Sequence, residues 1–196
     1  MSPLTHEDKL FLLRLARQTL EVRLENRRAV PQAADAAKIS DALREHAGVF
    51  VSLHKCGELR GCVGLVEPRL PLFRAVMETS LSAATADPRF APVGLGELLE
   101  IEVEISVLSP PRSITVGEIQ IGMHGLMVTQ GRLRGLLLPQ VAVERHWDPE
   151  RFLAETCRKA GLVCDAWRRG ARVEAFEADV FGEKSLAERL FGRSLL

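Results

Sequence analysis

The chain has 196 residues, with 26 Lys+Arg balanced by 26 Asp+Glu, a length that lets one domain, or two small lobes on a shared core, fold unaided. Its neutral balance and lack of a basic stripe argue against nucleic acid, and its apolar runs are too short to span a bilayer. His6, Glu7 and Asp8 do not follow the basic-then-apolar layout of a signal peptide, so a cytoplasmic location is expected.

Thr5 is placed to cap a helix whose first turn carries Glu7 and Asp8, complementing the helix dipole. The expected buried face is Phe11, Leu12, Leu15, Ala16, Thr19 and Val22, fading before Pro31. Alanine-rich residues 31–38 read as a loop or frayed turn, and a short helix from Ser40 to His46 is stopped by Gly48. Val49 to Cys56 alternates as a strand, Gly57-Glu58 makes a tight turn, and Leu59 to Val66 returns. That register sets Lys55 opposite Arg60 and Leu53 opposite Cys62. Facing cations repel unless an anion lies beside them. Glu58, an acidic strand elsewhere or a bound anion would serve; otherwise both side chains splay into water.

Pro71 opens a second helix through Ala86, with Leu72, Val76 and Ala83 on its apolar face. Asp87-Pro88 ends it, because a residue before proline is pushed out of the helical region. Ile101 to Leu108 is the clearest strand. Ile101, Val103, Ile105 and Val107 face a core; Glu102, Glu104 and Ser106 face the other way. That second face is either solvated or supplies the carboxylates that Lys55 and Arg60 lack.

Pro110-Pro111 breaks the pattern, and Ile114 to Ile121 is a weak strand or loop. His124-Gly125 introduces a strand through Thr129, Gly131 turns it, and Leu133 to Leu138 returns. Pro139 starts a helical turn containing Gln140 and Glu144. Asp148 as cap and Pro149 open the last long helix, which Gly161 closes. Its inner face is Phe152, Leu153, Thr156, Cys157 and Ala160. Arg172 to Phe181 is a final strand, followed from Ser185 by a short amphipathic helix. Hairpins interleaved with helices, without strict βαβ alternation, predict an α+β fold with a largely antiparallel sheet flanked by helices.

The stretch Glu58-Leu59-Arg60-Gly61-Cys62-Val63-Gly64 carries the chemistry of interest. Glycine weakens a strand interior, so two glycines around a cysteine point to a bulge or to close approach of a ligand or another segment. Cys56, Cys62, Cys157 and Cys164 lack the CxxC spacing of a structural zinc site. No dinucleotide, Walker, HExxH or GxSxG motif is present. Among the histidines, His124 before a glycine stands out as a possible base or as a turn histidine bonded to backbone. His46, His54 and His146 read as ordinary strand or helix-end residues.

Leu59-Arg60-Gly61-Cys62-Val63-Gly64 resembles the LRGCIG signature of the AMMECR domain family, with valine for isoleucine. Asp87-Pro88-Arg89-Phe90, Ile101 to Pro110, Gly122-Met123-His124-Gly125-Leu126, Leu137 to Ala142 and Cys157 to Leu162 are also similar, in the family's order. The resemblance implies one domain over residues 5–182 with a tail at 183–196. It also implies a larger and a smaller lobe with a cleft between them. Its partners would be a Memo-type protein and a radical S-adenosylmethionine enzyme; it names no substrate, cofactor or metal.

Two chemistries fit these residues. In one, Cys62 is a nucleophile or sulfur ligand, Arg60 stabilises its thiolate, His124 is the base, and Glu104 or Glu102 orients the histidine or binds substrate. In the other, a non-catalytic module binds or delivers an anionic metabolite. There Gly61 and Gly64 open backbone N–H groups to the anion, and Arg60, Lys55 and Arg89 supply charge. Gln140, in the Leu-Pro-Gln segment, joins the ligand-binding candidates. RNA binding is disfavoured, since the chain is neutral, has no tyrosine and has few aromatics.

Overall fold

The computed structural model describes residues 2–26 and 39–184. Two compact units divide the chain, Met1–Val107 with Val180–Leu196, and Leu108–Asp179. The expected loop at 31–38 and the helix from Ser185 lie outside the described residues.

In the first unit Thr5 caps α1 (His6–Glu25) through a reciprocal pair with Asp8. Leu12, Leu13, Leu15, Ala16, Thr19 and Leu20 are buried, whereas Val22 is exposed and Phe11 half-buried. The buried stripe therefore runs through Leu13 and Leu20, with half-buried Phe11 and Leu24 packed against the same core and Val22 outside it. Ser40 caps α2 (Asp41–Arg44), and Gly48 begins a strand instead of merely stopping the helix. β1 (Gly48–Lys55) pairs antiparallel with β2 (Glu58–Leu65). α3 (Leu72–Thr85) packs on both strands and against α1. β3 (Ile101–Leu108) lies next to β1, following a 3-10 turn at Leu95–Glu100. Val49, Val51, Leu53, Val103 and Ile105 form the core with α3's Leu72, Ala75 and Val76.

In the second unit β4 is only Arg112–Ser113. Ile114 to Ile121 is loop with a single 3-10 turn at Val116–Glu118. β5 (His124–Gln130) pairs antiparallel with β6 (Leu133–Leu137) across Gly131, whose φ is 60°. Pro139 opens α4 (Pro139–Glu144), and Asp148 caps α5 (Pro149–Lys159). Gly161, at φ 76°, closes α5 as glycine does at helix ends. β7 (Arg172–Gly182) pairs antiparallel with β5 and β4, and its residues from Val180 belong to the first unit. Phe152, Leu153 and Cys157 of α5 are fully buried against Leu126, Val128 and Ala175. Gly135 permits that packing: a Cβ there would stand 2.3 Å from the Ala160 nitrogen. The fold is α+β, with antiparallel sheet flanked by helices.

Candidate functional site

The β1–β2 hairpin turns at Cys56-Gly57, with both residues at positive φ (53° and 83°), the two-residue geometry that suits hairpin twist. The expected turn at Gly57-Glu58 was thus one residue late. Lys55 faces Glu58 and His54 faces Leu59, but Leu53 faces Gly61 and Ser52 faces Cys62. Arg60 is left without a cross-strand partner. It is the extra residue of a β-bulge, a device that re-aims a side chain. The expected pairs Lys55–Arg60 and Leu53–Cys62 do not occur.

Re-aimed in this way, Arg60 grips Glu97. Its Nε and Nη2 donate to the two carboxylate oxygens at 3.1 and 3.0 Å, and its Nη1 donates to the Ala91 carbonyl at 2.8 Å. Lys55 Nζ lies 3.4 Å from both Glu97 and Glu100. The anion these cations needed is therefore Glu97 with Glu100, not Glu58 and not the acidic face of β3. Arg60 and the Gly94 N–H pull the Glu97 carboxyl down to about 2. Arg60 is consequently a clamp between β2 and the segment before β3.

Gly61 and Gly64 have packing reasons. A Cβ on Gly61 would lie 2.2 Å from the Ala83 carbonyl oxygen, and one on Gly64 would enter the Phe50 ring at 2.2 Å. The close approach suggested by the motif is made by α3 and by Phe50.

Cys62 is held by its backbone. Its N–H donates to Asp87 Oδ2 at 2.8 Å, and Arg89 Nη2 donates to its carbonyl at 3.2 Å. Arg89 also forks onto Asp87, with Nε to Oδ1 at 3.0 Å and Nη2 to Oδ2 at 2.7 Å. The Asp87 side chain is 3% exposed. Arg89, assisted by the Cys62 N–H, holds its carboxyl well below the usual carboxylate range. The two motif segments Leu59–Gly64 and Asp87–Phe90 are thus one hydrogen-bonded unit. The Cys62 side chain is half-buried, and its Sγ accepts from Ser52 Oγ at 3.3 Å.

Strand alternation defines the face around that thiol. Val49, Val51 and Leu53 are fully buried in the core, so Phe50, Ser52 and His54 project from the opposite face, as Cys62 does beside Ser52. On β3 the same alternation places Glu102 and Glu104 away from the core. A recess of about 300 Å³ in this unit is lined by His54, Glu102, Glu104, Gly182 and Glu183. Cys62 is not in its lining. His54 Nε2 is buried without a hydrogen-bond partner, while Glu183 is committed to Arg17 and to the Val103 N–H.

His124 and Gln140 belong to the second unit. The Gln120 N–H donates to His124 Nδ1 at 3.1 Å, so the ring proton sits on Nε2. Arg112 Nη2 lies 3.4 Å from Nε2, donor against donor, which is contact without a hydrogen bond. His124 is 3% exposed and has the backbone-bonded geometry of a turn histidine. Gln140 sits in the first turn of α4, its Oε1 buried and without a partner.

Ser52, Asp87 and Glu97 were not among the expected site residues. Alternation marked the face of Ser52, while Glu97 follows a glycine that offers no capping side chain, only its N–H at 3.1 Å. Arg89 stands only two residues from Asp87, but nothing local told that Glu97 would meet Arg60 or that Asp87 would take the Cys62 N–H. Among the described residues no group of three His, Cys, Asp or Glu is placed to hold a metal ion. No helix among them is long and apolar enough to cross a membrane.

A model of the AMMECR1 family matches residues 13–181, which include Arg60, Cys62, Asp87, Arg89 and His124. The chain belongs to the AMMECR1 family. A protein of Methanothermobacter thermautotrophicus is 44% identical over 190 residues, covering 93% of this chain and 97% of its own. One from Methanocaldococcus jannaschii is 41% identical over 206 residues, covering both chains fully at 100%. The crystal structure of an uncharacterized protein from Pyrococcus horikoshii superposes with a TM-score of 0.82 at 41% identity. It covers 89% of this chain and 91% of that one.

Proposed function

We propose that this AMMECR1 domain binds a small molecule on the open sheet face of its first unit, at Cys62 and Ser52. It works in the cytoplasm alongside a Memo-type protein and a radical S-adenosylmethionine enzyme. The observation that carries this reading is the treatment of Cys62. Its peptide is held at both N–H and C=O while its thiol stands half-buried beside a hydroxyl, whereas Cys157 is fully buried in the second core. A cysteine that merely fills space is buried, as Cys157 is.

Binding is favoured over nucleophilic catalysis by what the neighbours already do. Arg60 is spent on Glu97, and the basic nitrogen of His124 accepts the Gln120 N–H. An anion clamp made of Arg60, Lys55 and Arg89 is equally unsupported, because each pairs with a protein carboxylate. Small polar contacts at Cys62 and Ser52 remain as the recognition chemistry, and Cys62→Ser keeps a group of similar size there. A nitrogen-15 NMR screen of the full chain against small carboxylates, amines and phosphates tests the reading. Saturable shifts at Ser52, Cys62 and His54, retained in Cys62→Ser, are expected. Shifts confined to other surfaces, or none, would contradict it.

A further inference from the structure

Asp87 follows the last turn of α3, where the free groups are carbonyls, which a carboxylate cannot cap. Both carboxylate oxygens turn instead to Arg89 and to the Cys62 peptide. A carboxylate only 3% exposed is costly unless its oxygens are filled. Here they are.

β2 is the outer strand of its sheet. With Asp87 and Arg89 as their partners, the Cys62 N–H and C=O face away from β1, toward the free edge. An edge peptide is ordinarily left to water and to fluctuation. At residue 62 the donor and the acceptor are both tied to one ion pair. Arginine suits that task because its planar fork spans from the Asp87 carboxylate to the Cys62 carbonyl, where a lysine ammonium is a single point.

We propose that Asp87 and Arg89 are positioning residues for Cys62: by holding its peptide at both ends on the edge of β2, they fix where its thiol stands on the sheet face. The inference rests on the reading of that face as the binding site. Its corollary is that Arg89, though half-exposed, serves Cys62 before it serves any ligand. The Asp-Pro-Arg segment is then the support of the Cys62 motif.

The test uses the full chain with Asp87→Asn, Arg89→Gln and the milder Arg89→Lys. Two readouts are taken on each: exchange protection of the Cys62 amide, and the iodoacetamide rate at each cysteine by mass spectrometry. Exposed Cys56 and Cys164 are internal standards, and buried Cys157 reports any unfolding of the second unit. Asp87→Asn and Arg89→Gln, which loosen the Asp87 acceptor and remove the carbonyl's donor respectively, are expected to lower the protection and to raise the Cys62 rate about fivefold relative to Cys56, as loss of one hydrogen bond would. Arg89→Lys should fall between them and the wild type. Loss of amide protection with an unchanged Cys62 rate would overturn the proposal, since the pair would then hold only its own loop. If the rate responds but the ligand screen is blank, the binding reading fails and the positioning role stands; the reverse pattern leaves binding and removes positioning.

Discussion

The two hairpins, β1–β2 and β5–β6, share a plan and differ in one residue's worth of register. Each turns through two residues, and each needs a glycine where a helix presses on the sheet, Gly61 under α3 and Gly135 under α5. β5–β6 pairs without interruption from Leu126–Leu137 to Gln130–Leu133. β1–β2 shifts at Leu53/His54, and the shift ejects Arg60 from the ladder to reach Glu97. The regular hairpin closes a core. The bulged one carries a clamp on one side and a half-buried cysteine on the other.

The comparison breaks most visibly at the glycines. Gly61→Ala and Gly135→Ala both drive a Cβ into fixed backbone, so each should lose about 3 kcal/mol in urea unfolding, the upper range for overpacking. Gly57→Ala meets no atom but keeps φ 83°, and should lose about 1 kcal/mol. Equal losses at Gly57 and Gly61 would show that α3 does not press on β2.

Glu97→Gln comes next, at about 2 kcal/mol for charged hydrogen bonds lost by Arg60 and Lys55. Its effect depends on pH with a definite sign. The Glu97 carboxyl is lowered from 4.5 to about 2 when folded. Its contribution is therefore complete above pH 4.5 and disappears as pH falls toward about 2. The gap between wild type and variant should close over that window; a gap unchanged from pH 7 to pH 2.5 would mean the clamp carries no charge.

The smallest effect belongs to the turn. Cys56 holds φ 53°, a conformation asparagine tolerates better, and Asn-Gly is the favoured pair in such turns. Cys56→Asn is expected to raise stability by about 0.5 kcal/mol, measured by the urea midpoint; a loss would argue that Cys56 has a role at the hairpin tip.

Much of the architecture was legible because its signals are local. The Thr5 and Asp148 caps, the alternation of Ile101 to Leu108 and the Gly131 turn each sit within a few residues of what they determine. The β1–β2 register was not. A cysteine at positive φ hides the turn from composition, and a bulge is a one-residue slip that alternation alone does not locate. The site divides in the same way. Cys62 and its glycines were marked by type and by family resemblance, whereas the partners that decide their roles, Glu97, Asp87 and Ala83, come from distant segments. Arg60 looked like a ligand for an external anion because the internal one lies 37 residues on.

The most direct measurement is site-resolved iodoacetamide labelling of the full chain with and without a filtered small-molecule extract of its own host cells. A bound metabolite at the Cys62–Ser52 face predicts slower labelling at Cys62 alone, with Cys56 and Cys164 unchanged. Labelling that is the same at every cysteine with and without the extract, or slowed equally at all of them, would contradict the site.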